Sequence, residues 1–194
     1  MQISPFFFES EASGAVKSGR PLQGEFADYA KSDIDAVAGD DAVKALTALA
    51  RDTLGLLQPL SDDTIREASY GARKWTVKQV IGHLCDDERI FAYRALCIAR
   101  NDTRPLAGFD EERYVDGADF ESRPIAQLIA EYCAVRHATL SLFRGLSADA
   151  WLRRGIVNGY TASVRGLAFH IAGHELRHTR ALREKYGLGR DPQP

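Results

Sequence analysis

The strongest chemical signal in the sequence is HIAGHELRH, residues 170–178, which contains His174-Glu-x-x-His178. Two histidines four residues apart on a helix lie one above the other, so both imidazoles can bind one metal ion. His83 lies in a second segment with helical spacing, and an imidazole from a facing helix would complete a three-nitrogen site. A lone histidine on an apolar face is more often a core residue. An inward-facing pair without partners is costly to bury, which favours a shared metal.

Other residues near these histidines have less certain roles from spacing alone. His170 continues the series one turn earlier and could be a ligand, although we favour a core or supporting role, while His137 receives no chemical role. Asp86 and Glu88 flank the turn of the first histidine and either support the ligands or are surface charges. Cys85 follows that histidine by two residues, about 200° around a helix, so we expect its thiol to face away and to be dispensable.

His-Glu-x-x-His is also the signature of zinc proteases of the zincin type, which require a third ligand further along the chain. No histidine follows His178, and Glu184 lies on a different face of the same helix. We therefore expect that Glu175 is not a protease base. The segment Glu175-x-x-His178 also matches half of a ferritin-like di-iron site, but such a site needs the motif twice. The sequence favours a single mononuclear site.

The elements that must position these residues are helices, because apolar residues recur at helical spacing and no segment shows sustained alternation. We predict no strand. Between the second and third helices, residues 101–123 form a connection that is long for a helical domain, which is typical of a bundle crossover or a lid. The sequence therefore predicts an all-α bundle. Its four long helices are expected at residues 41–60, 76–100, 123–146 and 163–186.

Composition narrows the class of protein further. The chain has 194 residues and 45% hydrophobic content, enough for one sizeable core. Its net charge of −2 gives no basic surface for nucleic acid. The three cysteines do not have the spacing of a zinc ligand set or a disulfide framework, so we expect reduced thiols. No apolar run approaches the roughly 20 residues that span a membrane, so we expect a cytoplasmic protein without membrane partners.

Two stretches resemble the signature regions of the DinB-like, or DinB/YfiT-like, superfamily of metalloenzymes. The shared motifs are a tryptophan shortly before a helical G-H-L-x-D-x-E, and G-H-E-x-x-H on the last helix. The resemblance implies an antiparallel four-helix bundle with a long crossover between its second and third helices. We expect this domain to cover residues 26–194, with residues 1–25 as an N-terminal extension outside it. The stretches are KWTVKQVIGHLCDDERIFAYRALCIARND and GIVNGYTASVRGLAFHIAGHELRHTRAL.

The resemblance also implies the ligand set and the chemistry. It places the metal ligands at His83, His174 and His178, and Arg177 stands where close relatives often have another histidine. One divalent ion is expected, nickel or zinc, together with a low-molecular-weight thiol in some relatives. The implied activity is a thiol-dependent S-transferase or a hydrolase acting on a small molecule. The alternative is a non-catalytic metal-binding or stress-response bundle protein, and a homodimer is compatible with either interpretation.

The crossover offers side chains that either cover a pocket for a thiol cofactor or belong to a solvated loop. Both interpretations stay open from the sequence. The residues concerned are Arg104, Phe109, Arg113 and Tyr114.

Overall fold

Four long helices dominate the computed structural model, which describes residues 16–66, 71 and 74–189. The predicted all-α four-helix bundle is confirmed, and each predicted long helix is present with ends that differ by a few residues. The long helices are α2 (Ala42–Leu57), α4 (Val77–Ala99), α6 (Ile125–Arg144) and α8 (Val164–Glu184). The shorter elements are α1 (Lys31–Ala36), α3 (Asp62–Arg66), α5 (Glu111–Gly117), α7 (Ala148–Leu152), β1 (Arg154–Val157) and β2 (Tyr160–Ser163), with a 3₁₀ turn at Asp28–Ala30.

Local sequence explains where the long helices begin. The Asp41 carboxylate accepts from the backbone of Val43 at 3.0 Å and so caps α2. Thr76 and Gln79 form the predicted capping box of α4, with reciprocal hydrogen bonds of 3.2 and 2.9 Å. Pro124, expected in the first turn of α6, is the residue immediately before it. Side-chain capping therefore sets the starts of α2 and α4, and a proline precedes α6.

The four long helices pack as a square in which α2 and α4 lie diagonally opposite. The helix α4 packs against α6 and α8, and α2 packs against the same two helices. The core between them is filled by fully buried aliphatic and aromatic side chains, which supply most of the burial free energy. These include Leu46, Leu57, Ile81, Leu128, Leu140, Phe143 and Phe169.

A buried ion-pair network crosses this core and joins all four long helices. The guanidinium of Arg136 from α6 donates to Glu88 of α4 at 2.9 and 2.7 Å and to Glu175 of α8 at 2.6 Å. Glu175 also accepts from Thr53 of α2 at 2.7 Å and from the Tyr132 hydroxyl. Every carboxylate in the network is thus paired, as burial of charge demands.

A β-hairpin precedes α8, so the prediction of no strand was wrong. Its antiparallel strands are only four residues long and turn at Asn158 and Gly159, which have φ angles of 47° and 82°. An Asn-Gly pair is the strongest short-range hairpin signal, but strands this short show no clear alternation. Leu106 of the crossover pairs with Val157 at the hairpin edge. The hairpin therefore ties the crossover to the bundle.

The crossover contains a helix of its own. The helix α5 begins after Asp110, whose carboxylate accepts from the backbone of Arg113 at 3.1 Å. Val115 of α5 is buried, which fixes this helix against the bundle. The connection is therefore an ordered cover that runs along α4, with hydrogen bonds to Trp75 before its start and to Arg94 toward its end, and it brings acidic residues of α5 to the histidines.

Residues before the first long helix also pack on the bundle. Glu25 is 1% exposed, and its carboxylate accepts from Arg165 at 2.6 and 2.8 Å and from Arg154 at 2.6 Å. Burial alone would raise the pKa of Glu25, yet these hydrogen bonds and one from the Leu22 backbone lower it to about 2. The domain boundary at residue 26 stays a prediction, and residues 1–15 of the expected extension lie outside the described residues.

Candidate metal centre

The three predicted ligands meet inside the bundle. His83 comes from α4, and His174 and His178 come from successive turns of α8. Each offers one ring nitrogen, and these nitrogens all lie within 4.8 Å of one another. His83 and His174 are buried, and His178 is half-buried. The packing of α4 against α8 thus assembles the histidine trio, our name for these three residues.

Burial keeps the histidine trio neutral. Desolvation, with the nearby charge of Arg177, lowers the pKa of His83 to about 4 and that of His178 to about 3. The pKa of His174 is lowered well below its ordinary value, first by burial and then by the neighbouring histidines. Near pH 7 the rings therefore present lone pairs, and neutral imidazole is the form that binds a metal.

The spacing of the trio fits a divalent ion. The Nε2 atoms of His83 and His174 are 3.0 Å apart. Zinc–nitrogen bonds of about 2.0–2.1 Å in a tetrahedral site put ligand nitrogens roughly 3.3 Å apart. Two ring nitrogens this close share either a proton or a cation. The trio fits a small divalent ion with no large rearrangement.

A buried carboxylate beside the trio further supports the binding of a metal ion. Asp87 Oδ2 lies 3.3 Å from Nδ1 of His174 and 3.8 Å from Nε2 of His170. Within the described residues this oxygen has no hydrogen-bond partner, and burial raises the pKa of Asp87 well above its ordinary value. With Nδ1 of His174 protonated, Nε2 is free for an ion, and a small shift of either side chain would pair Nδ1–H with this oxygen. Asp87 is therefore placed to orient His174.

His170 lies beside the trio but is not part of it. Its ring stacks on Phe91 with centroids 3.8 Å apart, and its centroid is 5.7 Å from that of His174. Burial lowers the pKa of His170 to about 3. These contacts agree with its predicted core or supporting role.

Trp75 and Glu111 form the outer side of the centre. The Trp75 ring lies 4.6 Å from that of His83 and stacks on His178 with centroids 6.3 Å apart. Its indole N–H donates to Glu112 at 3.2 Å. Glu111 of α5 brings a carboxylate oxygen to 3.8 Å from Nε2 of His83, and this side chain is 54% exposed. The crossover thus supplies an acid at the mouth of the centre.

Two neighbouring cavities reach the histidine trio. The tryptophan-side cavity, about 700 Å³, is lined by Trp75 and His178. The arginine-side cavity, about 650 Å³, is lined by Arg94 and His174. Each volume is in the range of ligand pockets, about 300–1,000 Å³. Three residues line both cavities: Glu111, Glu112 and Arg177.

The acidic residues singled out by the sequence lie elsewhere. Asp86 is near the surface beside Arg89 at 3.4 Å, and Glu88 is paired with Arg136 in the core. These contacts hold both carboxylates away from the histidine trio. Asp87 was missed as a functional residue, although its spacing of four from His83 puts the two on one helix face.

Cys85 and Glu175 also lie in surroundings other than the histidine trio. Cys85 is buried, and burial together with the charges of Glu131 and Glu88 raises its pKa well above the ordinary value. A thiol in such surroundings is inert. The Glu175 carboxylate is held by the core network, which agrees with the expectation that it is not a protease base. His137 is exposed on α6.

The crossover residues that the sequence singled out differ in their surroundings: some cover a cavity and others face solvent. Phe109 lines the arginine-side cavity and packs against Tyr114 with ring centroids 5.3 Å apart. Arg104 has a side chain that is 80% exposed and pairs with Asp102 at 2.7 Å, and Arg113 is exposed. The interpretation as a cover fits Phe109, while the two arginines fit a solvated loop.

Fold and site together define a four-helix bundle with a buried three-histidine centre. A family model described as the DinB superfamily matches residues 45–182, so the chain belongs to the DinB superfamily. The predicted resemblance is thereby confirmed. No curated protein gives a significant match.

Among solved structures, the chain is similar to YfiT from Bacillus subtilis. The identity is 16%, the TM-score is 0.61, and the match covers 86% of this chain and 93% of the other. YfiT is described as a probable metal-dependent hydrolase with an unusual four-helix bundle topology. At this identity the likeness shows the shared fold.

Proposed function

We propose that the chain is a divalent-metal-dependent enzyme that acts on a small molecule, with His83, His174 and His178 as the ligands. The observation that carries this proposal is the convergence of three ring nitrogens within 4.8 Å, between two cavities large enough for a substrate. The description of YfiT as a metal-dependent hydrolase supports it as well. We propose nickel or zinc as the ion.

The chemistry follows from the donor set. An ion held by three neutral imidazoles keeps open positions and acts as a Lewis acid that makes water or a thiol acidic near pH 7. Asp87 lies 3.3 Å from Nδ1 of His174 and would orient that ring. Glu111 is the acid nearest the open side and can accept a proton from an incoming nucleophile, since its carboxylate lies 3.8 Å from Nε2 of His83.

Two reaction types use such a centre, hydrolysis and S-transfer from a low-molecular-weight thiol. The donor set serves both. A thiol cofactor would need one cavity while the electrophile occupies the other, and the two cavities on either side of Glu111 provide that arrangement. This pairing of cavities favours S-transfer as the finer proposal.

The alternative is a non-catalytic metal-binding or stress-response protein. One observation favours it, because the Glu111 carboxylate is near enough to move onto the ion and close the site. The absorption spectrum of the Co²⁺-substituted protein tests this point: a spectrum unchanged in Glu111→Gln supports an open site. A change in coordination in that variant supports a closed one.

Activity itself is tested with a panel of reactions. Conjugation of a small electrophile by bacillithiol, mycothiol or glutathione, and hydrolysis of an activated ester, are measured with the ion present and stripped. We expect activity that needs the ion, vanishes in His174→Ala and survives Cys85→Ala. Activity that is indifferent to the ion but lost with Cys85 contradicts the proposal.

The cellular location and the partners of the protein are part of the same proposal. In the described part of the chain, no helix is both long and apolar enough to cross a membrane. A cytoplasmic location, a homodimer and the absence of nucleic-acid partners remain predictions.

A further inference from the structure

We propose that Arg94 anchors a carboxylate of the small molecule on which the histidine centre acts. This inference rests on the proposed function because it names the substrate class of that site. It concerns a part of the arginine-side cavity that the metal centre does not itself use.

The first observation is a buried cation with few partners. Arg94 is 3% exposed, and its Nη2 donates to the backbone carbonyl of Ala107 at 2.7 Å. Among the described residues, the guanidinium of Arg94 makes this one hydrogen bond, and no carboxylate forms an ion pair with it. A guanidinium has five N–H donors, and burying a cation without an anionic partner is costly. The remaining donors are available to a ligand.

The second observation is the aromatic frame around the cation. The guanidinium carbon lies 4.7 Å from the centroid of the Phe91 ring and 5.6 Å from that of Phe109. These rings help to exclude water from the guanidinium. Charge-assisted, bidentate pairing with a carboxylate is strongest in such a dry, planar setting.

The third observation is continuity with the metal centre. Arg94 and His174 line the same cavity of about 650 Å³. Asp87 and Arg94 are seven residues apart on α4, about 10 Å along the helix axis. A compact molecule with its carboxylate on Arg94 can therefore extend an electrophilic atom toward the trio.

The charges of the cavity limit where an anion can bind. The acids of this cavity are Asp110, Glu111 and Glu112 of the crossover, Asp33 of α1 and the buried Asp87, and each disfavours a carboxylate beside it. Arg177, the other cation of this cavity, is already paired with Asp33 at 2.9 Å. Burial raises the pKa of Asp87 and the charge of Arg94 lowers it, but no ion pair joins these two side chains, so the remaining donors of Arg94 are left for a ligand.

The test uses metal-free protein, so it does not depend on activity. The Nε–H resonance of Arg94 is followed by NMR while benzoate, phenylacetate and 3-phenylpropanoate, and then their neutral amides, are added. We expect at least one acid to shift this resonance and to bind about tenfold or more tightly than its amide. Arg94→Met should lose that binding, while Arg89→Met, on the outer face of α4, should keep it.

Equal binding of acids and amides to the wild-type protein, or no shift from any acid, overturns the inference even if Arg94→Met fails to fold. Zinc uptake measured on the same samples separates the two proposals. Uptake of zinc without a preference for acids contradicts this inference alone. A preference for acids in a protein that takes up no zinc contradicts the proposed metal centre alone.

Discussion

His174 is the residue on which the site depends most. One ring nitrogen lies 3.0 Å from Nε2 of His83 and the other lies 3.3 Å from Asp87 Oδ2. The ring therefore lies between the candidate metal position and a buried acid. Such an acid fixes the tautomer of the ligand and raises its basicity.

Asp87→Asn tests this role at the scale of one residue. We expect zinc affinity, measured by competition with a chelator, to fall about tenfold to a hundredfold, because the amide cannot replace the carboxylate as a hydrogen-bond acceptor of equal strength. Asp86→Asn is the matched control, since that acid is near the surface beside Arg89. An equal change in both variants, or none in either, contradicts the role of Asp87.

The ligand residues were predictable because two of them lie four residues apart on one helix. His83 required the resemblance as well as its spacing. Asp87 shares the helix face of His83 through its spacing of four, whereas the contacts of Arg94 with Ala107 and Phe109 depend on the folded crossover. Glu111 reaches the site through the folded crossover, so no local pattern identifies it.

At the scale of elements, the close approach of the N-terminal segment to α8 depends on glycine. A methyl group at Gly173 would come within 2.4 Å of the Asp33 carbonyl oxygen in α1. The same change at Gly55 of α2 meets no heavy atom within 4 Å. Glycine on α8 therefore allows α1 to lie directly against it.

We expect Gly173→Ala to lower the free energy of unfolding by about 1–3 kcal/mol, because the backbone of α1 must shift. Gly55→Ala should raise it by up to about 1 kcal/mol, since alanine favours a helix. Chemical denaturation of both variants measures the difference. A stabilised Gly173→Ala would show that α1 does not pack there.

Glu25 makes a pH-dependent link between the N-terminal segment and α8. Its pKa is lowered from 4.5 to about 2 by Arg165 and its other hydrogen-bond donors, against the effect of burial. A depressed pKa stabilises the fold above the unfolded-state value and loses that effect as pH falls through the folded-state value. The contribution of Glu25 is therefore complete near neutral pH and declines between pH 4.5 and about 2.

Thermal unfolding of the wild-type protein and of Glu25→Gln checks this link. The wild-type protein should have the higher Tm at about pH 6, and the difference should shrink as pH falls to about 3. Asp35→Asn, which removes an exposed partner of Lys31, is the control and should show little change at either pH. A constant difference across this range contradicts the assigned cause.

The long helices were predictable because their apolar faces and caps are local features. The hairpin was missed because its four-residue strands are too short to alternate, although Asn158-Gly159 was the available signal. The helix α5 was missed because its sequence is mostly polar and it is held by Val115 and its cap. Both elements depend on contacts with the bundle.

At the scale of the molecule, the core network and the histidine trio use the same helices. Arg136 holds Glu88 of α4 and Glu175 of α8, the helices that carry the three ligands. This pairing fixes the two helices to each other across the core. The fold thereby determines the spacing on which metal binding rests.

The central claim is that one divalent ion binds at the trio. Elemental analysis of untagged protein after exposure to zinc or nickel should find about one ion per chain in the wild type. It should find essentially none in His174→Ala and an unchanged amount in His137→Ala, the matched control on the exposed face of α6. A full complement of ion in His174→Ala, or no ion in the wild type, contradicts the account.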